Sequence, residues 1–214
     1  MKERPILFSA PMVRALLAGR KSMTRRTVKP QPGPHLGLQE MWGTSPDGFA
    51  FGEPGLWRVV GEDYPDDESD DRRCPYGAPG DRLCVREAFR YTDEFRQHVE
   101  FRADQDKETD GFRWRPSIHL PWMFSRLMLE ITRVRVEQLQ EITEEDARAE
   151  GVTLMESISP DQRLAGTGER FGDAPHRCAF ACLWDEINPE TSWVSNPWVW
   201  VVKFRRVVTE GAKP

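Results

Sequence analysis

Long hydrophobic runs are missing from this chain of 214 residues. None of its apolar stretches approaches the roughly 18 residues that a membrane-spanning helix needs. The first residues, Met1 to Val13, also lack the apolar segment and the small-residue cleavage site of a secretory signal. These absences predict a protein that does not enter a membrane, and the cytoplasm is its expected location.

Cysteines are few, and their spacing is not that of a disulfide framework or a zinc site. The four are Cys74, Cys84, Cys178 and Cys182, and a cytoplasmic chain disfavours disulfides. His176 lies close to the last two, which leaves a fragment of a metal site open, but the paired C-x2-C spacing is absent. The spacing of Cys178 and Cys182 more simply predicts the buried face of a helix. We therefore expect no metal and no cofactor.

An excess of positive charge is also missing. The chain has 30 Lys and Arg against 35 Asp and Glu, a net charge of -5, which argues against a protein that coats nucleic acid. The charges are unevenly spread, because 62–71 is acidic without a base while 14–29 is basic without an acid. A solvated surface explains the acidic run. The basic run, beside apolar residues and turns, leaves an anion or nucleotide site open.

The pattern of apolar residues predicts a single α+β domain with insertions. Regular helices do not separate the strands, so a doubly wound parallel sheet is not expected. A small mixed or antiparallel β-barrel with helices packed outside fits better. A bulge is expected within 126–139, where the alternation of apolar residues shifts. The predicted strands are 5–9, 24–29, 82–89, 98–102, 126–139 and 196–208, and the predicted helices are 11–21, 143–150 and 175–188.

Two segments carry polar residues in unusual places. In 19–26, Lys21 and Thr24 bracket a turn that can bring an amine near a hydroxyl, and Thr24 and Arg26 are expected on one face of the next strand. The segment is neither a Walker A loop nor a G-x-S-x-G motif. Glu150 ends a helix, where a carboxylate opposes the macrodipole. An exposed Glu explains this, or a nearby cation such as Lys21 holds it there.

Four blocks in order resemble the ASCH domain family, small PUA-like barrels linked to RNA metabolism. G-R-K-S-M-T-R-R is similar to the family's G-x-K-x-x-[E/T]-x-R signature, and P-G-D-R-L-C-V-R-E to its G-D-x-L-x-V strand. I-T-E-E-D-A-R-A-E-G-V resembles its helix with an acidic end, and N-P-W-V-W-V-V-K-F its closing strand. The resemblance implies one ASCH domain over 1–214, as in long phage or prophage variants. Its insertions would be 31–73, 89–125 and 154–190.

The resemblance also implies an activity. Many members carry Glu where this chain has Thr24, and the Thr version resembles bacterial N4-acetylcytidine amidohydrolases, which use a Lys-Thr-Glu triad. Carried over, the triad is Lys21, Thr24 and Glu150. It implies a hydrolase that removes N4-acyl groups from a nucleoside or modified cytosine, giving cytidine and a carboxylic acid. The alternative is an RNA-binding module or an ASCH-type ribonuclease, with RNA as the partner.

The chemistry of such a triad is coherent. Thr24 would attack the acyl carbonyl after a base removes its proton, and Lys21 is a base only when neutral. Burial and nearby arginines would lower the pKa of Lys21, whereas Glu150 would raise it. Glu150 is therefore assigned to orientation or proton relay. Arg26 would stabilise the oxyanion or contact the base carbonyl.

Two further residues are predicted to contact substrate. Glu87 lies within the predicted strand 82–89, in a V-R-E segment that resembles long ASCH-like sequences, and His119 lies in a proline-rich loop with Arg115 and Ser117 that could line a pocket. A pair with Arg86 on opposite strand faces is the structural alternative for Glu87, and an exposed or structural loop His is the alternative for His119. The tryptophans near the last strand are expected in the core, although one could stack on a base.

Overall fold

The computed structural model describes residues 1–33, 36–44, 50–60, 71–105, 113–154, 170, 172–188 and 192–207. In these ranges no helix has the length and apolar character needed to cross a membrane. The strands are β1 (Glu3–Leu7), β2 (Met23–Thr27), β3 (Gly37–Thr44), β4 (Ala50–Val60), β5 (Asp71–Arg73), β6 (Arg82–Arg86), β7 (Phe89–Tyr91), β8 (Val99–Phe101), β9 (Met128–Gln138) and β10 (Trp198–Val207). The α-helices are α1 (Ala10–Leu17), α2 (Glu144–Ala149) and α3 (Pro175–Ile187).

The main sheet has five strands in the order β1-β6-β9-β10-β2. β1 is parallel to β6 and the other pairs are antiparallel, so the fold is mixed α+β as predicted. The expected closed barrel is not formed by the described strands, because β1 and β2 remain free edges of this sheet. A side chain spans the gap instead: Arg26 on β2 donates a hydrogen bond to the backbone oxygen of Leu7 on β1 at 2.8 Å.

The predicted bulge in β9 is confirmed by its pairing with β10. Arg133 is opposite Lys203 and Ile131 is opposite Phe204, so Thr132 is the extra residue. The bulge restores the inward face of β9, because Ile131 and Val134 are both buried in the same core cluster. This explains why strict alternation fails at this point of the sequence.

β10 separates two hydrophobic layers. Trp200 and Val202 face the main core with β1, β6 and β9, whereas Val199 and Val201 face the layer formed with α2 and α3. Trp193 is buried in that second layer. The expectation that the tryptophans near this strand are core residues is confirmed for Trp193 and Trp200, while Trp198 is partly buried and packs against the main core. Buried aromatic rings remove a large apolar area from water.

The sequence predicts no strand within 31–73, the first of the expected insertions, whereas the structure has three strands there. β3, β4 and β5 form a three-stranded antiparallel sheet. Gly and Pro within β4 hide the strand pattern, but Trp57 of β4 meets Trp200 edge to face, with ring centroids 4.9 Å apart. This aromatic contact joins the added sheet to the main core.

The segment after β6 forms a small additional unit. The strand predicted over 82–89 is divided, since β6 ends at Arg86 and β7 begins at Phe89. β7 and β8 form an antiparallel pair, which confirms the predicted strand at 98–102. Short 3-10 turns follow at 117–119 and 122–124. Most of the acidic run 62–71 and most of the first half of the expected insertion 154–190 lie outside the described residues.

Candidate active site

Lys21 and Glu150 lie just after the ends of α1 and α2, and their side chains are in contact. After α1, Gly19 adopts φ +70° and the backbone turns so that Lys21 N–H donates to Ala15 O at 3.2 Å. Glu150 follows α2 directly. Lys21 Nζ donates to the Glu150 carboxylate Oε2 at 2.7 Å and to the Glu150 backbone oxygen at 2.8 Å. The side chains are only 1% and 4% exposed, so this is a buried ion pair.

The local sequence explains where α2 begins and ends. The Thr143 side chain accepts a hydrogen bond from Asp146 N–H at 3.1 Å, as an N-cap does. Gly151, at φ +78°, ends the helix in the left-handed region. The final carbonyls of a helix lack partners within it, so Lys21 satisfies one of them as well as the carboxylate. The hypothesis that a cation holds Glu150 at this unfavourable position is confirmed.

Arg25 extends the pair into a buried charge network. It donates to Glu150 Oε1 at 3.3 Å, to Glu137 Oε1 at 2.6 Å and to Asp146 Oδ2 at 3.0 Å. Arg135 contacts the same Glu137 and Asp146. The three cations Lys21, Arg25 and Arg135 thus meet three carboxylates. Because Glu150 is shared with Arg25, its charge is not directed at Lys21 alone.

The surroundings of Lys21 lower the pKa of its amine. Burial is the largest influence and lowers the pKa of Lys21 below its ordinary value of 10.5. Glu150 raises this pKa through charge and hydrogen bonding, and the charges of Arg26 and Arg25 lower it. The net direction is down, as expected for an amine removed from water.

A cavity of about 600 Å³ lies between the free edges β1 and β2. Lys21, Thr24, Arg26 and Glu150 all line it, so the structure brings the predicted triad and Arg26 to one cavity. Thr24 is 1% exposed and is paired with Val202 in the sheet. The remaining lining residues are Pro5, Ile6, Leu7, Ser9, Met12, Arg25, Thr27, Tyr76, Arg86, Ile118, Phe180, Leu183, Trp184, Ile187 and Asn188.

Phe8 organises the cationic side of this site. Lys21 Nζ and the Arg26 guanidinium each lie 5.5 Å from the centre of its ring. Phe8 is itself buried in the main core. A rigid aromatic face therefore positions both cations and contributes a cation–π attraction to each.

Glu87 and His119 do not line this cavity. Glu87 is buried and accepts two hydrogen bonds from Arg126, at 2.9 and 3.0 Å. Burial raises the pKa of Glu87 although Arg126 opposes the change. His119 is exposed. Their chain neighbours Arg86 and Ile118 line the cavity instead, and Arg86 donates to Ile118 O at 3.0 Å.

Several residues of the site carried no clear sequence signal. Tyr76 comes from the turn before β6, and Leu183, Ile187 and Asn188 come from the far end of α3. The apolar spacing of α3 predicts a buried face, but not which residues of that face border a cavity. The sequence signal near Tyr76 is the turn rich in Gly and Pro that precedes β6.

The residues His176, Cys178 and Cys182 do not converge. His176 Nδ1 lies 2.6 Å from Glu144 Oε1, which also accepts from the His176 backbone N–H. Cys178 is buried in the layer under β10, as the helical spacing predicts. Within the described ranges no group of three His, Cys, Asp or Glu side chains is arranged to hold a metal ion.

Neither protein-family models, nor curated proteins, nor solved structures match this chain. Its function is therefore inferred from the residues of the site and from the resemblance in the sequence.

Gly151 provides a test of the site's close packing. A Cβ at this position would lie 2.9 Å from Cβ of both Ala15 and Lys21, while φ is +78°. We expect Gly151→Ala to combine backbone strain of about 1–2 kcal/mol with overpacking of about 1–3 kcal/mol. Urea unfolding measures the loss in free energy of unfolding.

Gly80→Ala is the matched control. Gly80 has φ +89° and no atom within 4 Å of the place its Cβ would take. This variant therefore reports the backbone strain alone. Equal losses for the two variants would contradict the close contact between Gly151 and Lys21.

Proposed function

We propose that this protein is an ASCH-type amidohydrolase with a PUA-like architecture, which removes N4-acyl groups from cytidine or cytosine derivatives. The observation that carries the proposal is the buried Lys21–Glu150 pair, which lines a cavity together with Thr24. Nucleophilic amide hydrolysis needs a hydroxyl and a base with a lowered pKa in one site, and Thr24 and Lys21 line the same cavity.

The hydrogen bonds of Lys21 suit a general base. A neutral amine has two N–H donors and one lone pair. Lys21 Nζ donates one hydrogen bond to the backbone carbonyl of Glu150 and one to its carboxylate. With both N–H groups held there, the lone pair of the neutral amine is left to accept a proton. Glu150 is thus the positioning residue for the amine.

In the first half of the reaction, Thr24 Oγ1 attacks the acyl carbonyl carbon while its proton moves to Lys21 Nζ. A tetrahedral oxyanion forms. It collapses with cleavage of the carbon–nitrogen bond, and Lys21 returns the proton to the leaving N4 of cytosine. The products of this half are cytidine and an ester of Thr24.

In the second half, water replaces the nucleoside. Lys21 removes a proton from the water, which attacks the ester carbonyl. The new tetrahedral intermediate releases Thr24, which regains its proton from Lys21, and the carboxylic acid leaves. The balance is one water consumed for each amide bond broken, and no metal or redox partner takes part in these steps.

Arg26 is the candidate for stabilising the oxyanion. Its guanidinium lies on the Phe8 ring and donates to Leu7 O at 2.8 Å, which fixes it at the cavity wall. A preorganised cation at this position would act on the charge that develops on the acyl oxygen. The volume of about 600 Å³ is in the range of small-molecule sites, and the apolar end of α3 offers a surface for the base.

The triad is tested by hydrolysis of N4-acetylcytidine with EDTA present, followed by chromatography of released cytidine. We expect Thr24→Ala and Lys21→Met to lower kcat/KM by about 10³-fold or more, since each removes an atom that takes part in both halves. Glu150→Gln should lower it less, because an amide oxygen still accepts a hydrogen bond from Lys21.

Two variants sharpen this experiment. Thr24→Ser keeps a hydroxyl and should retain most of the activity that Thr24→Ala loses. Thr132→Ala changes the exposed bulge residue and should match the unaltered protein. Near-normal hydrolysis by Thr24→Ala would exclude Thr24 as the nucleophile.

The ionisation of Lys21 predicts a pH dependence. Its pKa is lowered by burial, and only the unprotonated amine accepts a proton. Below that pKa the ammonium form dominates, so kcat/KM should rise with pH and level off once Lys21 is neutral, at a pH below 10.5. Initial rates are measured against an enzyme-free blank at each pH. A profile that falls across this range would contradict Lys21 as the base.

RNA binding without catalysis is the second candidate, and one surface favours it. In the unit after β6, Trp122 is 60% exposed, and the Arg90 guanidinium lies 5.2 Å from the Trp114 ring centre. Exposed aromatic rings and arginines stack on unpaired bases. Binding of labelled single-stranded RNA by a protein that does not release cytidine would favour this candidate.

A further inference from the structure

A second cavity adjoins the first. It has a volume of about 500 Å³ and shares Arg26, Thr27, Tyr76 and Asn188 with the cavity that contains the triad. The two spaces are therefore separated by shared side chains and not by a layer of core. The remaining walls are formed by Lys29, Arg72, Arg73, Pro75 and Trp200.

The walls of this second cavity are strongly cationic. Arg26, Lys29, Arg72 and Arg73 line it, and the described part of the wall contains no carboxylate. Arg26 and Arg72 donate to the backbone oxygens of Leu7 and Pro30, which orient the guanidinium groups without neutralising their charge.

The nearest described carboxylate in sequence is Asp71, which accepts hydrogen bonds from Arg58 at 2.5 and 3.1 Å, on the neighbouring strand β4. Arg58 is the main cause of the lowered pKa of Asp71, and the charge of Arg73 contributes to it. Arg26, Lys29 and Arg72 line the same cavity, and they bring positive charge to a space that an anion can occupy.

We propose that the second cavity holds the phosphate of an acylated cytidine nucleotide, so that the preferred substrate is a nucleoside monophosphate and not the free nucleoside. This inference rests on the proposed amidohydrolase function of the first cavity. A phosphate monoester matches the fork of donors on arginine, and a lysine adds a point charge.

The course of β2 agrees with this substrate. Thr24 lies at the reacting end, and Arg26, two residues further along the strand, lines both cavities and marks the boundary between them. Lys29 follows after the strand ends and lines only the second cavity. In a cytidine nucleotide the N4 group and the 5′-phosphate are at opposite ends of the molecule. The strand and the residues after it thus carry the proposed nucleophile to one end and Lys29 to the other.

A mononucleotide fits the charges better than a long RNA does. Neutralising many phosphates requires an extended basic surface, whereas the cations here are gathered around one cavity and the whole chain has a net charge of -5. Binding within RNA is therefore an outcome of the test and not the expectation.

The experiment compares kcat/KM for N4-acetylcytidine and for its 5′-monophosphate. We expect the unaltered protein to prefer the monophosphate by about tenfold or more, the effect of one charged hydrogen-bonded contact. In Lys29→Gln and Arg72→Gln this preference should fall toward one. Arg133→Gln, which removes an exposed charge outside both cavities, should keep it.

A binding measurement separates this proposal from the proposed function. Calorimetry with cytidine and with cytidine 5′-monophosphate reports the phosphate contact whether or not any amide is hydrolysed. Tighter binding of the monophosphate that Arg72→Gln abolishes would support the phosphate site even if the protein released no cytidine. Hydrolysis without a preference for phosphate would leave the triad intact and overturn the phosphate site.

A third substrate tests whether the protein acts on N4-acetylcytidine within RNA. A short oligonucleotide carrying internal N4-acetylcytidine presents phosphodiesters and no 5′-monophosphate on the modified nucleoside. Faster turnover of this oligonucleotide than of the monophosphate would overturn the proposal in favour of an RNA substrate. Slower turnover is the expected result.

Discussion

The buried contact between Lys21 and Glu150 determines how the two helix ends, the strand β2 and the cavity are arranged. Removing an ammonium and a carboxylate from water costs several kcal/mol per ion unless hydrogen bonds replace the water. Here Lys21 donates to both the carboxylate and the carbonyl of Glu150, and Arg25 donates to the other carboxylate oxygen. The residues after α1 and α2 are thereby held together. Thr24, three residues after Lys21, lines the cavity as a consequence.

The same contact explains why the pKa of Lys21 can fall although a carboxylate touches it. Glu150 is shared with Arg25, which also contacts Glu137 and Asp146. Burial therefore outweighs the attraction of Glu150, and the pKa of Lys21 is lowered. A network with balanced charges can hold an amine out of water while its pKa is lowered. In the proposed mechanism this is the condition for general-base catalysis.

The open sheet is the second constraint. Because β1 and β2 do not pair, the space between them is available to a ligand, and Arg26 spans it with one hydrogen bond to Leu7. The second cavity lies beyond Arg26 on the side of Lys29 and Arg72. A closed ring of strands would fill this gap with backbone hydrogen bonds. The gap between β1 and β2 that leaves the barrel open is thus also the proposed binding site.

Many of the helices and strands could be predicted from the sequence, because the signals for their ends and for the bulge are local. Pro11 lies in the first turn of α1 and Gly19 follows its end. Thr143 and Gly151 bracket α2, and the break in alternation locates the bulge at Thr132. The contact of Lys21 with Glu150 followed from an odd carboxylate at a helix end.

The remaining features depend on contacts between distant parts of the chain. Glu137 and Asp146 join Arg25 from more than a hundred residues away, and no spacing rule indicates such a contact. The sheet of β3, β4 and β5 was hidden by Gly and Pro, and its packing on Trp200 is visible only in three dimensions. Tyr76 and the end of α3 reach the cavity for the same reason.

Mass spectrometry of the protein quenched during turnover tests the central claim most directly. The account predicts an added acetyl group on the peptide that contains Thr24, present during hydrolysis of N4-acetylcytidine and absent in Thr24→Ala. Hydrolysis without any acylated protein, or with the acetyl group on another side chain, would contradict Thr24 as the nucleophile that Lys21 activates.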